Sequence, residues 1–215
     1  MGPVICVITP PRPAGAASMR ELLDRIGAAA RAGVHLVQIR QPDWNGGALA
    51  ALTEHSVVAV RGTRARVLVN DRLDAALAAG AHGVHLRGDS MPASRVRAAA
   101  PPGFLIGRSV HAAGEAVAAA RDGGVDYLIL GTVFATASKP DAATAGTSGL
   151  TGVCAAVPVP VLAVGGITLE RLGGVAAAGA AGFAAVRLFA EGRVDELQTI
   201  VERAVLAFDT SAGVP

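Results

Sequence analysis

Eight short apolar runs, each followed by a longer amphipathic or alanine-rich run, divide this 215-residue chain into repeats of one unit. The apolar runs lie at 4–8, 36–40, 67–70, 83–86, 105–109, 127–131, 161–165 and 182–188. The intervening runs predict helices near 19–32, 46–61, 72–79, 93–99, 113–122, 148–156, 169–178 and 193–208. Several helices end on an Ala-Gly or Gly-Gly step, at Ala32-Gly33, Ala79-Gly80, Gly123-Gly124 and Ala178-Gly179. Glycine there supplies the left-handed helix stop that a short αβ loop uses. Strands that are apolar throughout, rather than alternating, belong to a parallel sheet covered on both faces. Eight such units in about 200 residues predict an α/β chain folded as a single-domain (β/α)8 TIM barrel, spanning residues 1–208. An open doubly wound sheet is the alternative, but it rarely needs eight strands, and no G-x-G-x-x-G follows strand one.

Composition narrows the class. A 52 % hydrophobic and 17 % charged chain is not disordered. With only 3 % aromatics, its core must be built from Ala, Val, Leu and Ile. A net charge of +2, carried by scattered arginines, implies no nucleic-acid partner. Cys6 and Cys154 match no zinc or redox spacing and read as buried thiols in a reducing compartment. No basic region precedes an apolar run at the N-terminus, and no uncharged run approaches the roughly 18 residues of a membrane span. The expectation is a soluble cytoplasmic protein with no membrane partner, for which a homodimer is one arrangement. Residues 209–215 are expected to be a disordered tail, and 140–148, which lack large apolar residues, a mobile loop over the site.

In a barrel, chemistry sits where strands end and βα loops begin. Those ends carry Thr9; Gln38 and Arg40; Asn70, Asp71 and Arg72; His85 and Asp89; Ser109 and His111; Thr136, Ser138 and Lys139; Gly165 and Gly166; and Arg187. Cations and hydrogen-bond donors outnumber carboxylates, which suits an anionic, phosphorylated ligand. The Gly165-Gly166 turn, followed by a helix predicted to start near Thr168, reads as the phosphate corner. Arg187 either adds a charge-assisted bond there or is a surface arginine beside Glu191. Asp71, Asp74 and Asp89 are the only carboxylates that point to Mg2+. They form no metal-binding repeat, Asp71 can equally cap a helix, and Asp74 reads as a solvated helix-face charge. His111, two residues past Ser109, is the group placed to exchange protons near neutral pH. His85 reads as a packed, hydrogen-bonded residue, and His35, His55 and His82 are assigned no role.

These pieces resemble the thiamine phosphate synthase / thiazole tautomerase (TenI-type) superfamily of (β/α)8 barrels across nearly the whole chain. The resemblance rests on VQIR at 37–40, VNDRLDAA at 69–76, GVHL at 83–86, IGRSVH at 106–111, DYLILGTVFATASK at 126–139 and VPVLAVGGIT at 159–168. It implies one of two chemistries. Synthases join a pyrimidine pyrophosphate to a thiazole phosphate with Mg2+ and release pyrophosphate. They carry a lysine where this chain has Pro42, and a second metal aspartate where it has Ser90. Asp71 matches the first metal aspartate, and Asp89 is one residue out of place for the second. The tautomerase branch needs no cofactor. Its G-R-S-V-H run is matched by Gly107-Arg108-Ser109-Val110-His111, with the histidine as acid/base, and serine at the lost aspartate position is typical of it. The weight of Pro42 and Ser90 therefore favours a thiazole tautomerase, an isomerase without cofactor. In that reading His111 is catalytic; Gln38, Arg40, Asn70, Ser109, Thr136, Ser138 and Lys139 bind substrate; Gly165, Gly166 and Arg187 take the phosphate. A Mg2+-dependent synthase with Asp71 and Asp89 as ligands is the alternative, and a non-catalytic binding or regulatory barrel the third.

Overall fold

A computed structural model describes residues 2–136 and 143–209. Its strands are β1 (Val4–Ile8), β2 (Leu36–Ile39), β3 (Arg66–Asn70), β4 (Gly83–Leu86), β5 (Leu105–Val110), β6 (Tyr127–Gly131), β7 (Val161–Val164) and β8 (Gly182–Ala185). They pair in sequence order, all parallel, and β8 closes back onto β1 through a register that sets Cys6 against Ala184. The fold is the expected (β/α)8 barrel. Its helices are α1 (Ala16–Arg31), α2 (Gly46–Ala59), α3 (Leu73–Ala78), α4 (Ala93–Ala99), α5 (Ala113–Asp122), α6 (Gly146–Ala156), α7 (Leu172–Ala177), α8 (Arg187–Ala190) and α9 (Leu197–Asp209).

Two apolar layers follow from strands that bury both faces. One lies between sheet and helices, where Leu22, Ile26, Leu52, Val84, Leu128 and Phe189 pack. The other fills the barrel with Cys6, Ile8, Leu36, Leu68, Tyr127, Ile129, Leu162 and Ala184. The glycines past the helix ends at 33, 80, 123, 124 and 179 all have positive φ, as the turn chemistry requires.

Five local expectations are corrected. The last helix runs to Asp209, the first residue of the expected tail, and 210–215 lie outside the described residues. The last strand stops at Ala185 rather than continuing to 188, and Arg187 opens a four-residue helix instead of ending a strand. The helix expected from 169 begins as a 3-10 turn, Leu169–Arg171, before α7. Gly146 to Ser148, read as loop, form the first turn of α6. Cys154 is half-buried rather than fully enclosed, whereas Cys6 is buried and its thiol is pushed up to about 12 by desolvation. Among the described residues, no helix is long and apolar enough to cross a membrane.

Candidate active site

The C-terminal ends of the strands open into a cavity of about 1350 Å3. Its floor is polar because Gln38, Asn70, His85 and Ser109 occupy successive strands β2 to β5. Gln38 is 3 % exposed, and its Nε2 donates to Asn70 Oδ1 at 2.9 Å. Gln38 Oε1 is buried with no donor among the described residues. Leaving such an acceptor unmatched costs on the order of 1–3 kcal/mol, a cost that a ligand N–H or O–H offsets. His85, 1 % exposed, sets Nε2 2.9 Å from Ser109 Oγ and Nδ1 3.2 Å from the Tyr127 hydroxyl. Burial pulls its pKa down to about 3, so the ring is neutral at physiological pH.

His111 is exposed just past β5 and lines the cavity. Its Nδ1 lies 2.5 Å from the Gly131 carbonyl. A carbonyl only accepts, so Nδ1 carries the hydrogen and the neutral ring offers Nε2 as an acceptor. Its backbone N–H donates to Glu115 Oε2 at 2.7 Å. Thr9 is a buried tie rather than a lining residue: its Oγ1 accepts from the Arg40 backbone N–H at 2.9 Å and from Gln41 Nε2 at 3.0 Å. That fixes the strand end from which Arg40 extends, exposed, to the cavity rim.

The expected metal side is a salt-bridged cluster. Asp71 has a left-handed φ of 62°, and its carboxylate accepts from Ser90 Oγ. Its other oxygen lies 3.6 Å from Arg87 Nη1. Arg87 also forks both oxygens of Asp89, Nε to Oδ1 at 2.9 Å and Nη2 to Oδ2 at 2.5 Å. Arg108 braces this loop by donating to the carbonyls of Gly88, Ser90 and Met91 at 2.7, 3.0 and 2.9 Å. Among the described residues, no three His, Cys, Asp or Glu side chains gather as a metal site.

Gly165 and Gly166 line the opposite sector with φ of 97° and 63°. The loop after β6 packs on them: Phe134 N–H donates to Gly165 O at 3.1 Å, and a Cβ on Gly166 would sit 2.6 Å from the Ala135 carbonyl oxygen. Their smallness therefore serves loop packing as well as any ligand. Arg171 donates to Gly166 O at 2.6 Å and stands 4.9 Å over the Phe134 ring. Arg187 is exposed and paired with Glu191 at 2.6 Å. Thr136 is half-buried on the cavity wall; Ser138 and Lys139 lie outside the described residues. The sequence reading missed Arg87, Arg108 and Arg171, all of which line the cavity. Arg171 follows the Gly-Gly turn within one helical turn of Thr168, the one signal that could have marked it.

The family model for TMP-TENI, thiamine monophosphate synthase, matches residues 5–189. The chain belongs to that family. A thiamine-phosphate synthase of Roseiflexus castenholzii is 41 % identical over 184 residues, 85 % of this chain and 79 % of its own length. One from Methanoculleus marisnigri is 44 % identical over 161 residues, 74 % of this chain and 75 % of its own. Among solved structures, thiamine phosphate pyrophosphorylase from Pyrococcus furiosus superposes with a TM-score of 0.81 at 28 % identity, covering 97 % of this chain and 96 % of that one. Within the TMP-TENI family, these relatives overturn the tautomerase expectation and the isomerase class with it. Pro42 and Ser90 record charge lost only at two positions along the sequence. In the folded chain Arg87 stands beside Asp71, and further arginines reach the cavity from β5 and from the loops after β7 and β8.

Proposed function

We propose that the chain is a thiamine-phosphate synthase, a transferase that joins a hydroxymethylpyrimidine pyrophosphate to a thiazole phosphate and releases pyrophosphate. The observation that carries this reading is the placing of cations around one large cavity. Arg40 and Arg87 border it beside β2 to β4, while Arg171 and Arg187 border it beside β7 and β8, on the far side of the barrel. One phosphorylated heterocycle needs one such sector; a coupling reaction needs two. The volume of about 1350 Å3 exceeds the roughly 300–1,000 Å3 typical of a single small-ligand pocket.

In this reading the pyrophosphate lies against Arg40 and Arg87, and the thiazole phosphate against Gly165, Gly166 and the arginines beside them. Between them, Gln38 Oε1 accepts from an amino group of the pyrimidine, a donor that this buried oxygen does not find among the described residues. Asn70 holds the Gln38 amide so that this oxygen stays turned to the ligand. Asp71 and Ser90 would hold Mg2+: their side-chain oxygens are adjacent, hard oxygen donors suit the ion, and it commonly takes one or two carboxylates with substrate phosphates completing its shell. Bound there, it would neutralise charge on the departing pyrophosphate. Asp89, with both oxygens on Arg87, is assigned to orienting that guanidinium instead.

The bookkeeping of the reaction explains why a proton shuttle is not required. The pyrophosphate leaves with the electrons of its C–O bond, and the thiazole nitrogen lone pair forms the new C–N bond. No proton changes hands in that step, so His111 serves as a fixed acceptor on the cavity wall. Incubating the purified chain with both substrates and Mg2+ tests the proposal. Thiamine phosphate and pyrophosphate should appear one for one; no product under saturating conditions sinks it.

A further inference from the structure

The floor of the cavity contains a titratable residue that the reaction above does not use. His85 lies at the cavity floor, is 1 % exposed, and touches two hydroxyls, one on each ring nitrogen. The site is built to hold this contact. Tyr127, 6 % exposed, reaches it from β6 across β5, with the two ring centroids 5.7 Å apart. It passes over Gly107, where a Cβ would lie 2.2 Å from Tyr127 Cζ and 2.6 Å from His85 Nδ1. Any other residue at 107 would close the slot.

The directions of these hydrogen bonds follow from what each group must do. Tyr127 is 6 % exposed and belongs to the apolar cluster inside the barrel, and a buried phenol whose proton finds no acceptor loses a hydrogen bond it makes in water. His85 Nδ1 is the acceptor within reach. If Tyr127 donates to Nδ1, the neutral ring carries its single hydrogen on Nε2. That hydrogen is then donated to Ser109 Oγ. Ser109, with one lone pair so occupied, turns its own O–H to the cavity that it lines.

We propose that Tyr127 and His85 are positioning residues that make Ser109 a hydrogen-bond donor toward an acceptor nitrogen of the bound heterocycle. His85 never ionises in this role; it transmits the direction of a hydrogen bond from the barrel interior to the site. The inference rests on the synthase reading for its kinetic arm only.

The tautomer can be read on the unmodified protein. Ring-labelled histidine and long-range 15N–1H correlation should show His85 protonated at Nε2, assigned by the signal lost in His85→Gln. His111, held as the Nδ1–H form by Gly131, should give the opposite pattern in the same spectrum. A His85 ring protonated at Nδ1 overturns the proposal. For the kinetic arm, Ser109→Ala and Tyr127→Phe should each lower kcat/KM roughly 10-fold, about one neutral hydrogen bond. In the Ser109→Ala background, Tyr127→Phe should cost less than about 2-fold further, because the relay has lost its last member. Losses that multiply to about 100-fold would mean that Tyr127 acts through general packing and would also overturn it. A wild-type chain that makes no thiamine phosphate sinks the synthase reading, and the tautomer then decides the relay alone.

Discussion

Arg87 governs the charge of the sector where the pyrophosphate is placed. Its guanidinium lies between Asp71 and Asp89, so without a ligand the three side chains sum to one net negative charge rather than two. Both carboxylates hold Arg87 in its fully charged form, with Asp89 the stronger partner. Arg87→Ala leaves Asp89 without its partner and takes the guanidinium from beside Asp71, so the sector facing a polyanion loses one positive charge. The KM for the pyrimidine pyrophosphate should then rise roughly 10-fold, since a forked charge-assisted contact is lost and repulsion replaces it. The KM for thiazole phosphate, bound across the barrel, should move less than about 2-fold. Half-saturating Mg2+ should fall, because the ion no longer competes with a guanidinium for Asp71. Arg87→Lys should restore only part of the loss, as an ammonium carries the charge without the fork. Steady-state kinetics with each substrate varied in turn checks this, and equal rises in both KM values would show that Arg87 has been given the wrong partner.

Loop-on-loop packing decides how the Gly165–Gly166 side of the cavity is held. The turn after β7 carries the loop after β6 on its backbone, through Val133 N–H to Val164 O at 2.9 Å and Phe134 N–H to Gly165 O at 3.1 Å. Gly166 has a left-handed φ and no room for a methyl group beside Ala135 and Phe134. Gly166→Ala should therefore destabilise the chain by about 1–3 kcal/mol in urea unfolding. Gly114→Ala is the control: it sits in α5 with ordinary φ and open space, and should be neutral or slightly stabilising. Equal stability of Gly166→Ala and wild type would dismiss the packing argument. The strands and most helices were legible in the sequence because burial on both faces leaves unbroken apolar runs. The end of β8 was not, since Val186 and Leu188 continue the apolar pattern into α8. The candidate residues Gln38, Asn70, Ser109 and His111 were legible as strand-end positions, and all line one cavity. Arg87 and Arg171 were not, because nothing in one dimension tells a rim arginine from a solvated one. The branch of the family was misjudged for the same reason.

Across the whole barrel, three histidines tie stability to pH. His35 and His82 precede β2 and β4, and each uses Nδ1 to accept a backbone N–H, from Ile5 at 3.2 Å and Val67 at 3.0 Å. Protonation would put a hydrogen on each acceptor. Burial lowers both pKa values, with Arg64 and Arg66 adding smaller repulsions, and burial alone takes His85 to about 3. All three lie below the unfolded value of about 6.5, so the unfolded chain binds more protons once pH drops below it. The sign follows: this stability is fully present above about pH 6.5 and is lost as pH falls through the folded values. His85 contributes a slope of about 1.4 kcal/mol per pH unit from about 6.5 down toward 3. The carboxylates lowered by pairing, Asp74 and Asp89 among them, are exposed and titrate lower, so they add little above about pH 5. Urea unfolding between pH 7.5 and 5 should therefore show a falling midpoint, at constant m-value. His35→Gln and His82→Gln keep an acceptor for the strand N–H but cannot titrate. Each should flatten the profile by up to one proton's worth of slope, and the two effects should add, because the sites lie at separate strand starts. A wild-type midpoint that stays level from pH 7.5 to 5 would show that these imidazoles are protonated in the fold as readily as outside it.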